Sequence, residues 1–166
     1  YHGCNIASPL IMGNRLFVSS SYDYGNALLE LKENTLVTIW ENKAMKHHMW
    51  PGILHEDGLY IGNDGFENKD IGNTKAINIH TGEIYWEYNT GVATTVAVAD
   101  RIFLLTSQGR LSVIPADRTE YRELASREFR RDLWYTPPTF CRGRLFLRNK
   151  SGDIICLDLS GERGAS

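Results

Sequence analysis

Gly13-Asn14-Arg15-Leu16-Phe17-Val18 decides how this chain is read, because its pattern of turn residues, branched aliphatic, aromatic and aliphatic comes back three times. It returns as Glu56-Asp57-Gly58-Leu59-Tyr60-Ile61, as Ala99-Asp100-Arg101-Ile102-Phe103-Leu104 and as Arg142-Gly143-Arg144-Leu145-Phe146-Leu147. The step from Leu16 to Leu59, to Ile102 and to Leu145 is 43 residues each time. A constant period of that size marks a repeat architecture and matches the four-stranded antiparallel blade of a β-propeller.

Working outward from these copies gives four repeats, about 6–48, 49–91, 92–134 and 135–160, with 161–166 as a small polar tail. In the first, Ile6 to Met12, Arg15 to Ser19, Asn26 to Leu31 and Leu36 to Glu41 read as strands between turn residues. Ala27 to Lys32 has helix-favouring residues, but the repeat frame makes it a strand. The third repeat places its last strand at Glu120-Tyr121-Arg122-Glu123-Leu124. The fourth runs out after Asp153 to Leu159 and lacks its fourth strand. An unfinished blade leaves an edge with unpaired N–H and C=O groups, so the expected cover is further blades or a second copy of the chain.

Composition agrees with a globular chain: 166 residues, 42% hydrophobic and 23% charged. The formal charge is -2, and the Arg residues of the second half alternate with Glu (Arg118, Glu120, Arg122, Glu123, Arg127, Glu128), the pattern of a mixed solvated surface. Nucleic acid is therefore not an expected partner. No apolar run approaches the eighteen residues of a membrane helix, so no membrane span is expected. Cys4, Cys141 and Cys156 make no C-x-x-C pair, and Cys141 and Cys156 read as small hydrophobes buried in strands.

His80-Thr81-Gly82-Glu83-Ile84-Tyr85-Trp86, with Leu59-Tyr60-Ile61-Gly62-Asn63-Asp64-Gly65 upstream, resembles the repeat of the pyrroloquinoline-quinone (PQQ)-type β-propellers. In that family each blade has an aliphatic-Tyr-Val-Gly strand, a Thr-Gly turn and a closing Trp; Trp40 and Trp86 fill the closing position here, and the third repeat has none. Ala7-Ser8-Pro9-Leu10, Phe17-Val18-Ser19-Ser20, Trp40 to His48 and Tyr121-Arg122-Glu123-Leu124 are similar to the C-terminal half of bacterial PQQ-like repeat proteins. The resemblance implies half of an eight-bladed ring, a periplasmic or exported location and a noncatalytic binding or assembly scaffold with no cofactor. The alternative it implies is part of a PQQ-dependent quinoprotein oxidoreductase acting on alcohols or sugars, with PQQ and calcium. Such enzymes resemble one another in an adjacent Cys-Cys pair, a calcium held by Glu and Asn, and an Asp base, and this chain has no adjacent cysteines.

Two groups of residues are candidates for contact with a protein or small ligand on the propeller face. Asn42 to Trp50 links the first repeat to the second and includes His47, His48 and Trp50. Binding residues favour such loops on a rigid scaffold, and the competing reading is a solvated linker. Adjacent residues of an extended linker point opposite ways, which argues against His47 and His48 sharing one metal. Trp134 and Tyr135 enter the fourth repeat, where flat rings either line a pocket for a ring or sugar or pack between blades. Asn63 to Asp70 is rich in oxygen ligands but fails the calcium-loop spacing and reads as a polar turn. Nucleophile and phosphate-loop motifs are absent, so no catalytic residue is assigned.

Overall fold

The computed structural model describes residues 6–21, 24–43, 45–47, 50–65 and 72–161. They form fifteen strands in four antiparallel sheets, with one 3-10 turn at Glu56–Gly58. Blade 1 is β1 (Leu10–Met12), β2 (Arg15–Ser20), β3 (Gly25–Lys32) and β4 (Thr35–Asn42). Blade 2 is β5 (Ile53–Leu54), β6 (Leu59–Asn63), β7 (Asn73–Asn78) and β8 (Ile84–Asn89). Blade 3 is β9 (Ala93–Val98), β10 (Arg101–Thr106), β11 (Arg110–Pro115) and β12 (Ala125–Glu128). Blade 4 holds only β13 (Thr139–Cys141), β14 (Arg144–Arg148) and β15 (Ile154–Asp158).

Each sheet is a simple meander whose strands pair in chain order. Ala27 to Lys32 is strand throughout, as the repeat frame requires. One strand differs from expectation: the fourth of blade 3 is Ala125–Glu128, not Glu120 to Leu124. The reason is that the earlier segment spends its side chains elsewhere. Tyr121 stacks on Tyr88 at 4.0 Å, and Glu123 accepts from Arg110 and Ser112, so pairing with β11 starts only where the Leu124 N–H meets the Val113 carbonyl.

Side chains alternate faces along a strand, so each blade packs one face forward onto the next blade and one backward. The core is three clusters, one per pair of consecutive blades. Phe17, Leu28, Tyr60, Ile77 and Ile79 lie between blades 1 and 2; Leu59, Ile61, Ala76, Trp86, Ile102 and Ile114 between 2 and 3; Phe103, Leu105, Leu111, Leu145 and Leu147 between 3 and 4. Each fully buried side chain of this kind contributes about 1.5–3 kcal/mol. The closing Trp is a second tie. Trp40 donates its indole N–H to the Ile79 carbonyl of blade 2, and Trp86 donates to the Asp117 carbonyl of blade 3. A bulge beside each, at Leu28/Leu29 and Ala76/Ile77, marks the same place in both blades.

The sequence period conceals a change of phase. Phe17 and Phe103 point forward, and Phe146 lies opposite the backward-facing Leu145 and Leu147, but Tyr60 points backward into blade 1. Three blades join their first two strands by two residues, Gly13-Asn14, Ala99-Asp100 and Arg142-Gly143. Blade 2 uses three: the His55 N–H bonds the Leu59 carbonyl around Glu56-Asp57-Gly58, with Gly58 at φ +77°. That is the form of a three-residue hairpin closed by a left-handed glycine. One extra turn residue reverses which face every following side chain takes.

Candidate functional site

The reversal of Tyr60 builds the most unusual polar site in the molecule. The linker after β4 is pinned to blade 1 by its backbone: the Met45 N–H bonds the Asn26 Oδ1 at 3.0 Å and the His47 N–H bonds the Ser19 Oγ at 3.1 Å. This lays Met45 and His47 between the two blades, His47 being 1% exposed. The Tyr60 ring packs against Phe17 at 4.8 Å, and its hydroxyl lies 2.7 Å from His47 Nδ1. Because that hydroxyl accepts the Gly52 N–H at 2.9 Å, its own proton goes to Nδ1. The imidazole is then a neutral ring with its proton on Nε2.

Burial drives the His47 pKa down to about 4, with Lys75 acting in the same direction and Asp64 opposing. Burial likewise pushes the Tyr60 phenol up. Both groups therefore stay uncharged at neutral pH. The ring rests on Gly62, where an added Cβ would stand 2.3 Å from Nε2, and Nε2 has no hydrogen-bond partner among the described residues. Beyond it Lys75 pairs with Asp64 at 2.9 Å and Glu87 at 3.3 Å.

Among the five residues singled out from sequence, His47 is this buried linchpin, while His48 lies outside the described residues. Trp50 is half-buried at the entry to blade 2. Trp134 is 1% exposed in the core between blades 3 and 4, with its indole N–H on the Arg130 carbonyl, and Tyr135 is half-buried beside it. His47 therefore lies in the seam between blades 1 and 2 and Trp134 in that between blades 3 and 4, and the structure does not bring these two into one pocket. Of the polar turn Asn63 to Asp70, residues 66–70 lie outside the described residues. Asn63 is a structural clip: its amide reaches Thr74, Thr90 and the Gly91 carbonyl, and its Oδ1 takes the N–H groups of Gly65 and Ala93. Among the described residues no group of three His, Cys, Asp or Glu side chains converges as a metal would need.

Clefts also open among the described residues. One of about 610 Å³ lies at the end of blade 1 where β2 and β4 finish and β3 begins, lined by Pro9, Val18, Ser19, Asn26 and Glu41 among others. Another of about 350 Å³ lies between blades 2 and 3, with the stacked Tyr88 and Tyr121 on one side and Arg110, Ser112 and Glu123 on the other. Sequence reading missed this second cleft because Glu123 fell in the alternating Arg/Glu run that reads as a solvated surface. The missed role of Tyr60 had a signal in the three turn residues Glu56-Asp57-Gly58.

Cys141 and Cys156 correct an expectation: both are exposed. They lie in strands as expected, but on the face of blade 4 that no other blade among the described residues covers. No helix of the described residues is long and apolar enough to cross a membrane.

No family model matches this chain, and no curated protein does. Solved structures do. BamB from Moraxella catarrhalis is 18% identical with a TM-score of 0.67 over 90% of this chain and 42% of its own. The computationally designed Ika4 protein is 13% identical with a TM-score of 0.68 over 96% and 94%. A europium-containing methanol dehydrogenase is 13% identical with a TM-score of 0.51 over 78% and 24%. At these identities the likeness establishes a β-propeller fold and nothing narrower. The chain spans less than half the length of BamB.

Proposed function

We propose that this chain is a noncatalytic PQQ-like propeller segment that serves as a binding or assembly scaffold for a protein or small ligand. One observation carries the reading: the described polar side chains His47, Asn63 and Asp64, at or beside the blade seams, are engaged in bonds that hold the fold. His47 is neutral and bonded to Tyr60, Asn63 is saturated by five partners, and Asp64 is tied to Lys75. A catalytic acid or base needs a titratable group within reach of substrate, with a pKa near the working pH. His47 meets neither condition.

The rival reading, part of a quinoprotein oxidoreductase, asks for calcium and PQQ, and the described carboxylates do not gather into a calcium site. The purified chain mixed with PQQ and calcium and then desalted tests the choice. The scaffold reading expects quinone absorbance to separate from the protein and no dye reduction with alcohols or sugars. Quinone retained with the protein, together with alcohol-dependent dye reduction, replaces it with the enzyme. The compartment that accompanies the scaffold reading is periplasmic or exported, on family resemblance.

A further inference from the structure

We infer that the cleft between blades 2 and 3 seats one aromatic side chain with a ring N–H, an indole or an imidazole, from a loop of a partner protein. The inference rests on the scaffold reading and says where the partner is gripped. Its ground is that the other two seams hold such a ring at the equivalent place. Gly62, Leu104 and Leu147 are each the fourth residue of the second strand of their blade, and each faces back toward the preceding blade. The imidazole of His47 lies over Gly62, and the indole of Trp134 shares a cluster with Leu147. Both rings come from long linkers, residues 43–52 and 129–138. The linker between blades 2 and 3 is only residues 90–92 and lays no ring there. Thr90 is bonded to Asn63 and Thr74, and Val92 is a buried aliphatic.

Leu104 instead lines the cleft of about 350 Å³, a volume near the lower end of ligand pockets, which run from about 300 to 1,000 Å³, with room for a ring and little more. Its walls suit that occupant. The half-exposed Tyr88 and Tyr121 line one side as a parallel pair, an aromatic wall against which a further ring packs. Arg110 lines the other, its guanidinium held by Glu123, Glu128 and Ser126, and a guanidinium fixed in this way stacks on aromatic faces. Thr106 and Ser112 are buried with Leu104 at the floor, and each is bonded to a wall: the Thr106 hydroxyl accepts the Arg110 N–H at 3.0 Å, and the Ser112 hydroxyl donates to Glu123 at 2.8 Å. Glu123 thus accepts from Arg110, Ser112 and Ser126. A carboxylate offers about four lone-pair sites, so one is left for a ring N–H. Trp134 gives its own N–H to the Arg130 carbonyl in the same manner. An aliphatic side chain would fill the space but strip water from Arg110 and Glu123 with no bond in return.

Titration of the nitrogen-15-labelled chain with N-acetyl-tryptophanamide, followed by amide NMR shifts, tests this, with N-acetyl-leucinamide as the control. The expected shifts saturate at about 1–10 mM, the range open to a single ring, and centre on residues 88–90, 104–112 and 121–123. The leucine compound gives none there. Tyr88→Ala and Arg110→Ala each weaken binding about tenfold or more while the rest of the spectrum stays that of the parent, since both side chains are partly exposed. A peptide with one tryptophan between glycines binds more tightly than free indole; free indole binding as tightly overturns the assignment to a partner's side chain. Absence of shifts up to about 10 mM, an equal response to the leucine compound, or folded variants that bind like the parent each overturn the site. The PQQ test does not involve this cleft, so any of these failures leaves the scaffold reading standing.

Discussion

The seam between blades 1 and 2 and the seam between blades 3 and 4 solve one problem with opposite chemistry. In both, the inter-blade linker drops a ring onto a glycine: His47 onto Gly62, and Trp134 onto Gly109, whose φ is +93°. Trp134 is self-sufficient, since its indole N–H is satisfied by Arg130 four residues back in the same linker. His47 depends on Tyr60 of the next blade and leaves Nε2 unpaired among the described residues. The apolar seam therefore needs no side-chain bond from its ring to the next blade, the linker being held by backbone bonds from the Trp134 N–H to the Ser107 carbonyl and from the Lys150 N–H to the Leu133 carbonyl. The polar seam needs a particular register of β6, which a single turn residue sets.

The sharpest way to break this comparison is to remove that residue. Deleting Glu56 leaves a two-residue turn like those of the other blades and restores the period that the sequence advertises. It also turns Leu59 and Ile61 toward blade 1 and Tyr60 toward blade 3. Three fully buried side chains then face the wrong seam, at about 1.5–3 kcal/mol each, comparable with the whole margin of a small domain at about 5–15 kcal/mol. The expected outcome is loss of the cooperative thermal transition by circular dichroism. A deletion variant that melts within a few degrees of the parent would sink the account of the turn.

The repeat was legible because its signal is chemical, a short string of turn residue, aliphatic and aromatic that survives across all four blades. The phase was hidden because the 43-residue step aligns Tyr60 with Phe17 by residue type, while the sheet aligns Phe17 with Ile61 by face. Sequence likeness and side-chain direction part company when a loop gains one residue. The linker containing His47 was recognisable as a segment of interest, but its burial depended on Tyr60 having turned. The exposure of Cys141 and Cys156 was out of reach for another reason. A strand's buried face is set by its neighbour, and the described residues pack no cluster against that face of blade 4.

Next in size is the apolar seam. Trp134→Ala removes a side chain that is 1% exposed and leaves a cavity above Gly109 between Phe129 and Leu147. Large-to-small changes of this kind cost about 3–5 kcal/mol. Urea denaturation should show a lower midpoint with an unchanged slope. A cost under about 1 kcal/mol would mean that the ring fills no gap that matters.

The polar seam has a signature that the apolar one lacks, which is pH. His47 has its pKa lowered from 6.5 to about 4 in the fold, so the unfolded chain binds a proton there that the folded chain refuses. Between about pH 6.5 and 4 the unfolded state holds more protons, and stability rises with pH. Acidification through that window should therefore withdraw about 3 kcal/mol at this residue. His47→Gln removes the titration while keeping an acceptor within reach of Tyr60. The difference in unfolding free energy between parent and variant should shift in the variant's favour from pH 7 to pH 4.5, and a difference that stays constant would remove His47 from the acid response.

The smallest effect is expected where charge lies at the rim of a blade. Arg110 binds Glu123 at 2.7 Å and Glu128 at 2.6 Å, tying the strand that begins late, β12, back to β11, yet its side chain is 42% exposed. Lys75 makes the comparable bond to Asp64 at 2.9 Å with side chains only 11% and 15% exposed. Water and salt screen the first pair far more than the second. Arg110→Ala should cost about 1 kcal/mol or less, and the cost should shrink further in about 1 M salt, where the screening length falls to about 3 Å. Denaturation curves at low and high salt measure both quantities. A salt-independent loss well above that figure would show that β12 owes its place to the Arg110 bonds and not to backbone pairing with β11.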